Sequence, residues 1–320
     1  MSTLLLAAGV GSRLDPLTRV TAKAALPLAG RTLIERALDW LAREGRHDVV
    51  INLHHRPAAI AAVVGDGAHL GLRVRYSWEP TILGSAGGPR HALPLLDSET
   101  LLIVNAEPLC DFPIAPLVSH HTASGADVTL AVVPNRAPDE FNGLVADERG
   151  HVREIVPKGR AQGTWHFIGV QVARSSVFAG LPDGEPAETI PGIYREAIAR
   201  GSLDIRVHAV ETAPIHVGTP QEYLAAALAL ASRSCCDSTI EPGADVASSA
   251  RIRRSLIWPG VRIGPEVDLV GCIVAGAAVV PAGVRATNAV VMPESFARTG
   301  ETVERRQGLA LFPLPIAGGQ

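Results

Sequence analysis

Between residues 240 and 295 the chain repeats on a short period. Ile240, Val246 and Ile252 lie six residues apart, as do Ile263, Leu269 and Ala275, with Gly, Pro and Ala crowding the positions between. A second apolar set keeps the same spacing: Ala244 and Ala250, then Val261, Val267, Ile273 and Val279. A strand this short cannot bury its own aliphatic side chain, so each must stack on the coil below, which is the pattern of a hexapeptide β-helix. The run slips by one residue between Ile252 and Ile263, and a small irregular β-sandwich is the alternative. We expect a short left-handed β-helix domain over 239–296, followed by a tail, 297–320, whose "RRQ" and "LFPLPIAGGQ" show no assignable period.

The region before it has another rhythm. Strand-like runs at 48–53, 72–78, 100–106, 126–133 and 165–173 alternate with helical patterns such as 32–43, where Leu33, Ile34, Ala37, Leu38 and Leu41 share one face. This predicts an α/β domain over 1–232, Rossmann-like, with a mainly parallel sheet. Residues 143–155 read as a hairpin around Arg149-Gly150, which makes the sheet mixed. Thr219, Pro220 and Glu222 form a capping box ahead of the last helix. With 320 residues and 47% hydrophobic content, the chain can fill both cores.

The formal charge of -3, from 29 basic and 32 acidic residues, gives no bulk attraction to nucleic acid or an anionic membrane. The apolar run Leu4 to Ala8 is too short for a spanning helix or a signal peptide, so a cytoplasmic protein is expected. Cys110, Cys235, Cys236 and Cys272 have no C-x-x-C spacing and read as reduced, mostly buried thiols.

The opening stretch, "LLLAAGVGSRLDPLT", is a strand ending in small residues with two glycines behind it. A dinucleotide fingerprint would need a third glycine where Leu14 stands, and Pro16 interrupts the following helix. A Walker loop would need Gly-Lys-Ser/Thr, whereas Gly11 is followed by Ser12-Arg13. What remains is a loop in which Gly9 and Gly11 let the backbone approach an anion, Arg13 offers a fork to phosphate, and Lys23 adds a point charge.

In these residues the chain resembles the sugar-1-phosphate nucleotidyltransferases, and among them the mannose-1-phosphate guanylyltransferase-like members with a hexapeptide tail. The family motif, Leu-Ala-Ala-Gly-x-Gly-Thr-Arg-Leu-x-Pro-Leu-Thr, is matched by "LAAGVGSRLDPLT", whereas the Pro-Lys-Pro that follows it keeps only its lysine, as Ala22-Lys23-Ala24, and the family's Glu-Lys-Pro is Pro157-Lys158-Gly159. The likeness continues through "EPTILGSAGGPRHAL", "LIVNAEPLCDF", "VPKGRAQGTWHFIGVQV" and "HVGTPQEYLAAA". It implies transfer of a nucleotidyl group from a nucleoside triphosphate to a sugar 1-phosphate, with GTP and mannose 1-phosphate favoured and UTP, dTTP and other hexose or heptose phosphates open. It also implies roles: Arg13 and Lys23 catalytic; Leu6, Ala7, Ala8, Gly9, Gly11, Ser12, Glu79, Gly84, Ser85, Ala86 and Gly87 at the nucleotide; Gly143, Lys158 and Gly169 at the sugar phosphate.

The metal positions depart from the family. Where it has Gly-Asp this chain has Ala106-Glu107, and where it has Asp before Gly-Thr-Pro this chain has His216. Glu107 and His216 are therefore the candidate ligands of a divalent ion, magnesium by family likeness, with manganese or cobalt preferred because they accept mixed nitrogen and oxygen donors. Asp111 remains at a position often acidic in the family. The expected partners are a nucleoside triphosphate, a sugar 1-phosphate and further copies of the chain, a homo-oligomer built through the β-helix. Two other functions compete: a catalytically silent relative that binds nucleotide or nucleotide-sugar and regulates or scaffolds an active partner, and a β-helix acyltransferase, which residues 240–295, lacking any His, disfavour.

Overall fold

Apolar runs that lack alternation must be buried on both faces, and those of the first half form one nine-stranded sheet. The computed structural model describes residues 1–107, 109–232 and 236–315, so Cys235 and the last five residues of the tail lie outside them. Within the sheet, Ser2–Leu6 runs parallel to Asp48–Leu53 on one side and to Thr100–Asn105 on the other. Arg73–Trp78 continues the parallel set at one edge. Trp165–Arg174 enters antiparallel between Thr100–Asn105 and Val128–Pro134, and Ile205–Ala209 closes the other edge. The sheet is mixed and mainly parallel, with the hairpin Gly143–Ala146 and Val152–Val156 appended to Trp165–Arg174. Asp147 nucleates its turn by accepting from the amides of Arg149, 2.9 Å, and His151, 3.0 Å.

The six-residue spacing becomes the three faces of a β-helix. Thr239 pairs with Leu256, Leu256 with Ile273 and Ile273 with Val290, an advance of 17 residues per coil. The other two faces keep it, through Asp245, Arg262 and Val279, and through Arg251, Asp268 and Arg285. The one-residue slip seen in the sequence is thus a regular feature: two sides of each coil advance six residues and the third five. The stacked ladder accordingly passes through Val274, register partner of Ile257, and not through Ala275. The tail has strand structure that its composition hid, since Leu309–Pro313 pairs antiparallel with Ala289–Pro293 and with Glu304–Arg306. It closes the last coil's open edge.

Contacts group the chain into two compact units, Met1–Gly9 with Ile34–Pro214 and Val10–Leu33 with Ile215–Gln320. The segment after the first strand thus packs with the β-helix. Glu241 in the first coil, 2% exposed, accepts from the amides of Ala29 and Gly30 at 2.6 and 2.7 Å, and the Tyr223 hydroxyl donates to the carbonyl of Pro27. Cys272 is buried, Cys110 half-buried and Cys236 exposed. No helix among the described residues is long and apolar enough to cross a membrane.

The ladder makes a graded prediction. Leu269, fully buried between coils, should cost about 2–5 kcal/mol on truncation to Ala, whereas Ile240, 50% exposed at the first coil, should cost under about 1 kcal/mol. Urea unfolding of Leu269→Ala and Ile240→Ala measures the difference; equal losses would contradict the stacking order.

Candidate functional site

In open α/β sheets ligands bind beyond the carboxyl ends of the strands. Here three neighbouring parallel strands end in register, Leu6 opposite Asn52 and Asn105. Asn52 ties this end of the sheet together. Its side-chain oxygen accepts from the amides of Ala7, 2.6 Å, and Ala8, 3.3 Å, and its nitrogen donates to Glu79 Oε1 at 2.7 Å. Glu79 is fully buried, and its other oxygen accepts from the Leu83 amide at 3.0 Å. Glu79, expected at the nucleotide, therefore links the end of the first strand to the glycine-rich segment. A side chain at Gly88 would stand 2.8 Å from both Asn52 and Glu79, so that position has to be bare.

Gly84 opens the helix Gly84–Ala92 with φ +74, a left-handed conformation suited to glycine. The amides of its first turn have partners in the same unit. Ser85 donates to Glu188 Oε2 from its amide at 3.2 Å and its hydroxyl at 2.5 Å, and Ala86 and Gly87 donate to the carbonyl of Ala187 at 2.8 and 3.1 Å. The exposed carboxylate of Glu188 thus lies against Gly84 and Ser85. Sequence reasoning missed both Asn52 and Glu188. A polar residue inside the apolar run "DVVINL" was a usable signal for Asn52; nothing in the sequence marked Glu188.

The sugar-side candidates fall on the antiparallel strand and the hairpin. Gly169, at φ +80, sits where the register of Trp165–Arg174 shifts, and a side chain there would meet Asn105 at about 3 Å. Gly143 has Thr164 and Ala161 packed against it. Lys158 is exposed, its backbone amide held by Asn142 Oδ1 at 3.0 Å. Ala106 is buried, its amide donating to the carbonyl of Leu6 at 3.0 Å, and Glu107 follows half-buried. Asp111 pairs with Arg43 at 3.2 Å on the surface.

The second unit holds the loop cations. Val10–Leu33 is built from three short turns, Ser12–Leu14, Leu17–Arg19 and Lys23–Ala25. Gly11 has φ +66, and a side chain there would press at 3.0 Å on both Thr18 and Lys23. Lys23 is 8% exposed, packed into the loop rather than solvated, while Ser12 and Arg13 are exposed. The Arg13 guanidinium lies beside Gly218, within the same turn as His216. That turn is fixed by the expected capping box: Glu222 Oε2 accepts from the amides of Gly218, 2.7 Å, and Thr219, 3.0 Å, and Thr219 accepts from the Glu222 amide at 3.2 Å. The loop and the "HVGTP" motif, some 200 residues apart in sequence, thus meet in one place.

Replacing Asn52 by Leu should take the Asn52 bond from one oxygen of Glu79 and from the amides of Ala7 and Ala8, at about 1–3 kcal/mol for each group. The midpoint of thermal unfolding should drop by several degrees, and an unchanged midpoint would remove Asn52 from its organising role.

Residues 2–233 match the family model described as nucleotidyl transferase. A mannose-1-phosphate guanylyltransferase of Mycobacterium tuberculosis is 26% identical over 95% of this chain and 83% of its own length. An N-acetylmuramate alpha-1-phosphate uridylyltransferase of Neisseria meningitidis is 33% identical over 61% of this chain and 85% of its own. Among solved structures, HddC from Yersinia pseudotuberculosis complexed with GMP-PN superposes with a TM-score of 0.63 at 17% identity, covering 72% of this chain and 99% of that one. The chain belongs to the nucleotidyl transferase family.

Proposed function

We propose that this protein joins a nucleoside triphosphate to a sugar 1-phosphate, releasing pyrophosphate, with GTP and mannose 1-phosphate as the favoured pair. The observation that carries this reading is the meeting of Arg13 with Gly218 of the "HVGTP" turn, in a loop whose Lys23 is buried against Gly11. The match to a guanylyltransferase along 95% of the chain, β-helix included, favours the guanine nucleotide and mannose. In the reaction an oxygen of the sugar phosphate forms a bond to the α-phosphorus as the bond from that phosphorus to the pyrophosphate oxygen breaks. Two anions meet, so rate depends on positioning and charge neutralisation. Arg13 and Lys23 neutralise the triphosphate. The backbone of Leu6 to Gly9, Gly11 and Ser12 lines its path, the Gly84–Gly87 segment receives the base, and Gly143, Lys158 and Gly169 receive the sugar phosphate.

A divalent ion, when bound, offsets further charge on the triphosphate. Magnesium is commonly held through one or two carboxylates together with phosphate oxygens and water. This chain offers one carboxylate, Glu107, and one imidazole, His216, and among the described residues no group of three or more His, Cys, Asp or Glu could hold an ion. Such a donor set fits an ion that arrives on the triphosphate and keeps most of its shell from phosphate and water. The same poverty of carboxylates favours a second reading, in which the chain binds nucleotide or nucleotide-sugar without turnover and regulates an active partner. Self-association through the β-helix belongs to both readings, Ile240 and Val279 being about half exposed on its surface.

Pyrophosphate release from a panel of triphosphates and sugar 1-phosphates divides the two readings. Arg13→Ala should lower kcat/KM by about a hundredfold or more without loss of fold. Unchanged nucleotide affinity and turnover would remove Arg13 from the site. Activity should be higher with manganese or cobalt than with magnesium, and Glu107→Asp with His216→Asp should shift the preference towards magnesium. A wild type inert with every metal beside an active double variant would establish the silent reading.

A further inference from the structure

The loop that carries Arg13 and Lys23 is gripped by the far end of the chain. Arg19, whose side chain is 9% exposed, forks onto two carboxylates. Its Nε donates to Asp15 Oδ1 at 2.8 Å and its Nη2 to Asp15 Oδ2. Nη1 and Nη2 each donate to Glu301 at 2.7 Å, and Nη1 also donates to the carbonyl of Phe296 at 2.8 Å. These bonds match the five N–H donors a guanidinium has, and its Cζ lies 5.0 Å from the centre of the Phe312 ring. From the tail, Arg298 reaches Asp15 at 3.1 Å and its amide donates to Glu301 at 2.9 Å. Val20 and Phe296 both close on Gly276 of the β-helix.

Such use of a guanidinium leaves nothing for a phosphate. Arg19 and Asp15 also occupy places that the motif leaves open, so phosphate chemistry does not explain them. We propose that residues 296–312 form a strap that fixes the triphosphate loop, with Arg19 as the positioning residue through which it acts. This rests on the reading of the loop as the triphosphate site. The loop's one ladder, Pro27-Leu28 with Arg31-Thr32, lies at its far end, and a two-carboxylate clamp supplies a restraint closer in sequence to Arg13. Hydrogen bonding to Arg19 pulls the Glu301 carboxyl down to about 2 from 4.5, and that to Asp15, then Glu301, raises Arg19 above its ordinary range. The Glu301 half of the clamp therefore persists at neutral pH, and its contribution fades as pH falls from about 4.5 towards 2.

The test uses the full chain with Arg19→Met and the milder Glu301→Gln, which keeps the proposal testable if the first variant folds poorly. Amide hydrogen exchange is followed in nucleotide-free protein, and GTP binding is measured by calorimetry at pH 7. Exchange should rise selectively over residues 10–28 in both variants, and GTP affinity should fall by roughly tenfold or more as the loop loses its set geometry. Exchange that is unchanged over 10–28, or that rises equally throughout the chain, overturns the strap. So does selective loosening with undiminished GTP affinity. A wild type that binds no nucleoside triphosphate instead overturns the reading of the loop, and the strap's role in binding with it.

Discussion

The residues from Ala7 to Arg31 have little regular structure beyond three short turns and the pairing of Pro27-Leu28 with Arg31-Thr32, so long-range contacts carry much of their positioning. Side chains from distant parts of the chain add to the loop's own turn bonds and to the Asp15–Arg19 pair. Asn52 takes the amides of Ala7 and Ala8. Glu241 takes those of Ala29 and Gly30, Tyr223 holds Pro27, and Arg19 is pinned by Glu301. Each partner is a polar side chain at a buried or half-buried position, where an unmet hydrogen bond would be expensive. The economy of the design lies in exposing Arg13 while burying what supports it.

Much of this was legible in the sequence, because the legible parts obey local rules. Apolar runs without alternation gave the parallel strands, Thr219, Pro220 and Glu222 gave a helix start that the hydrogen bonds reproduce, and Arg149-Gly150 gave the hairpin turn. The six-residue period marked the β-helix, yet its five-residue third side looked like an irregularity because one coil contains only one such step. The tail could not be read. Its strands pair with Ala289–Pro293 and with each other, a non-local fact that composition does not encode. Asn52, Glu188 and Glu301 escaped for the same reason, since their partners lie 45, 103 and 282 residues away.

Ala106, Glu107 and His216 are best described by what surrounds each of them. Ala106 is buried directly after Thr100–Asn105, its amide bonded to the carbonyl that ends the first strand. Glu107 lies half-buried after it, and His216 lies in the turn that Glu222 holds rigid.

The β-helix also acts as a ruler. Glu241 holds the loop at the first coil, while Val20 and Arg19 meet Gly276 and the tail at the last. Coils in such a stack are spaced by about 4.8 Å, the separation of neighbouring strands. Insertion or deletion of one 17-residue coil would preserve every local pairing rule of the stack. It would nevertheless displace one anchor from the other by that full step, farther than a hydrogen bond can stretch. The number of coils in this chain is therefore set by the span of a loop that lies more than two hundred residues before them.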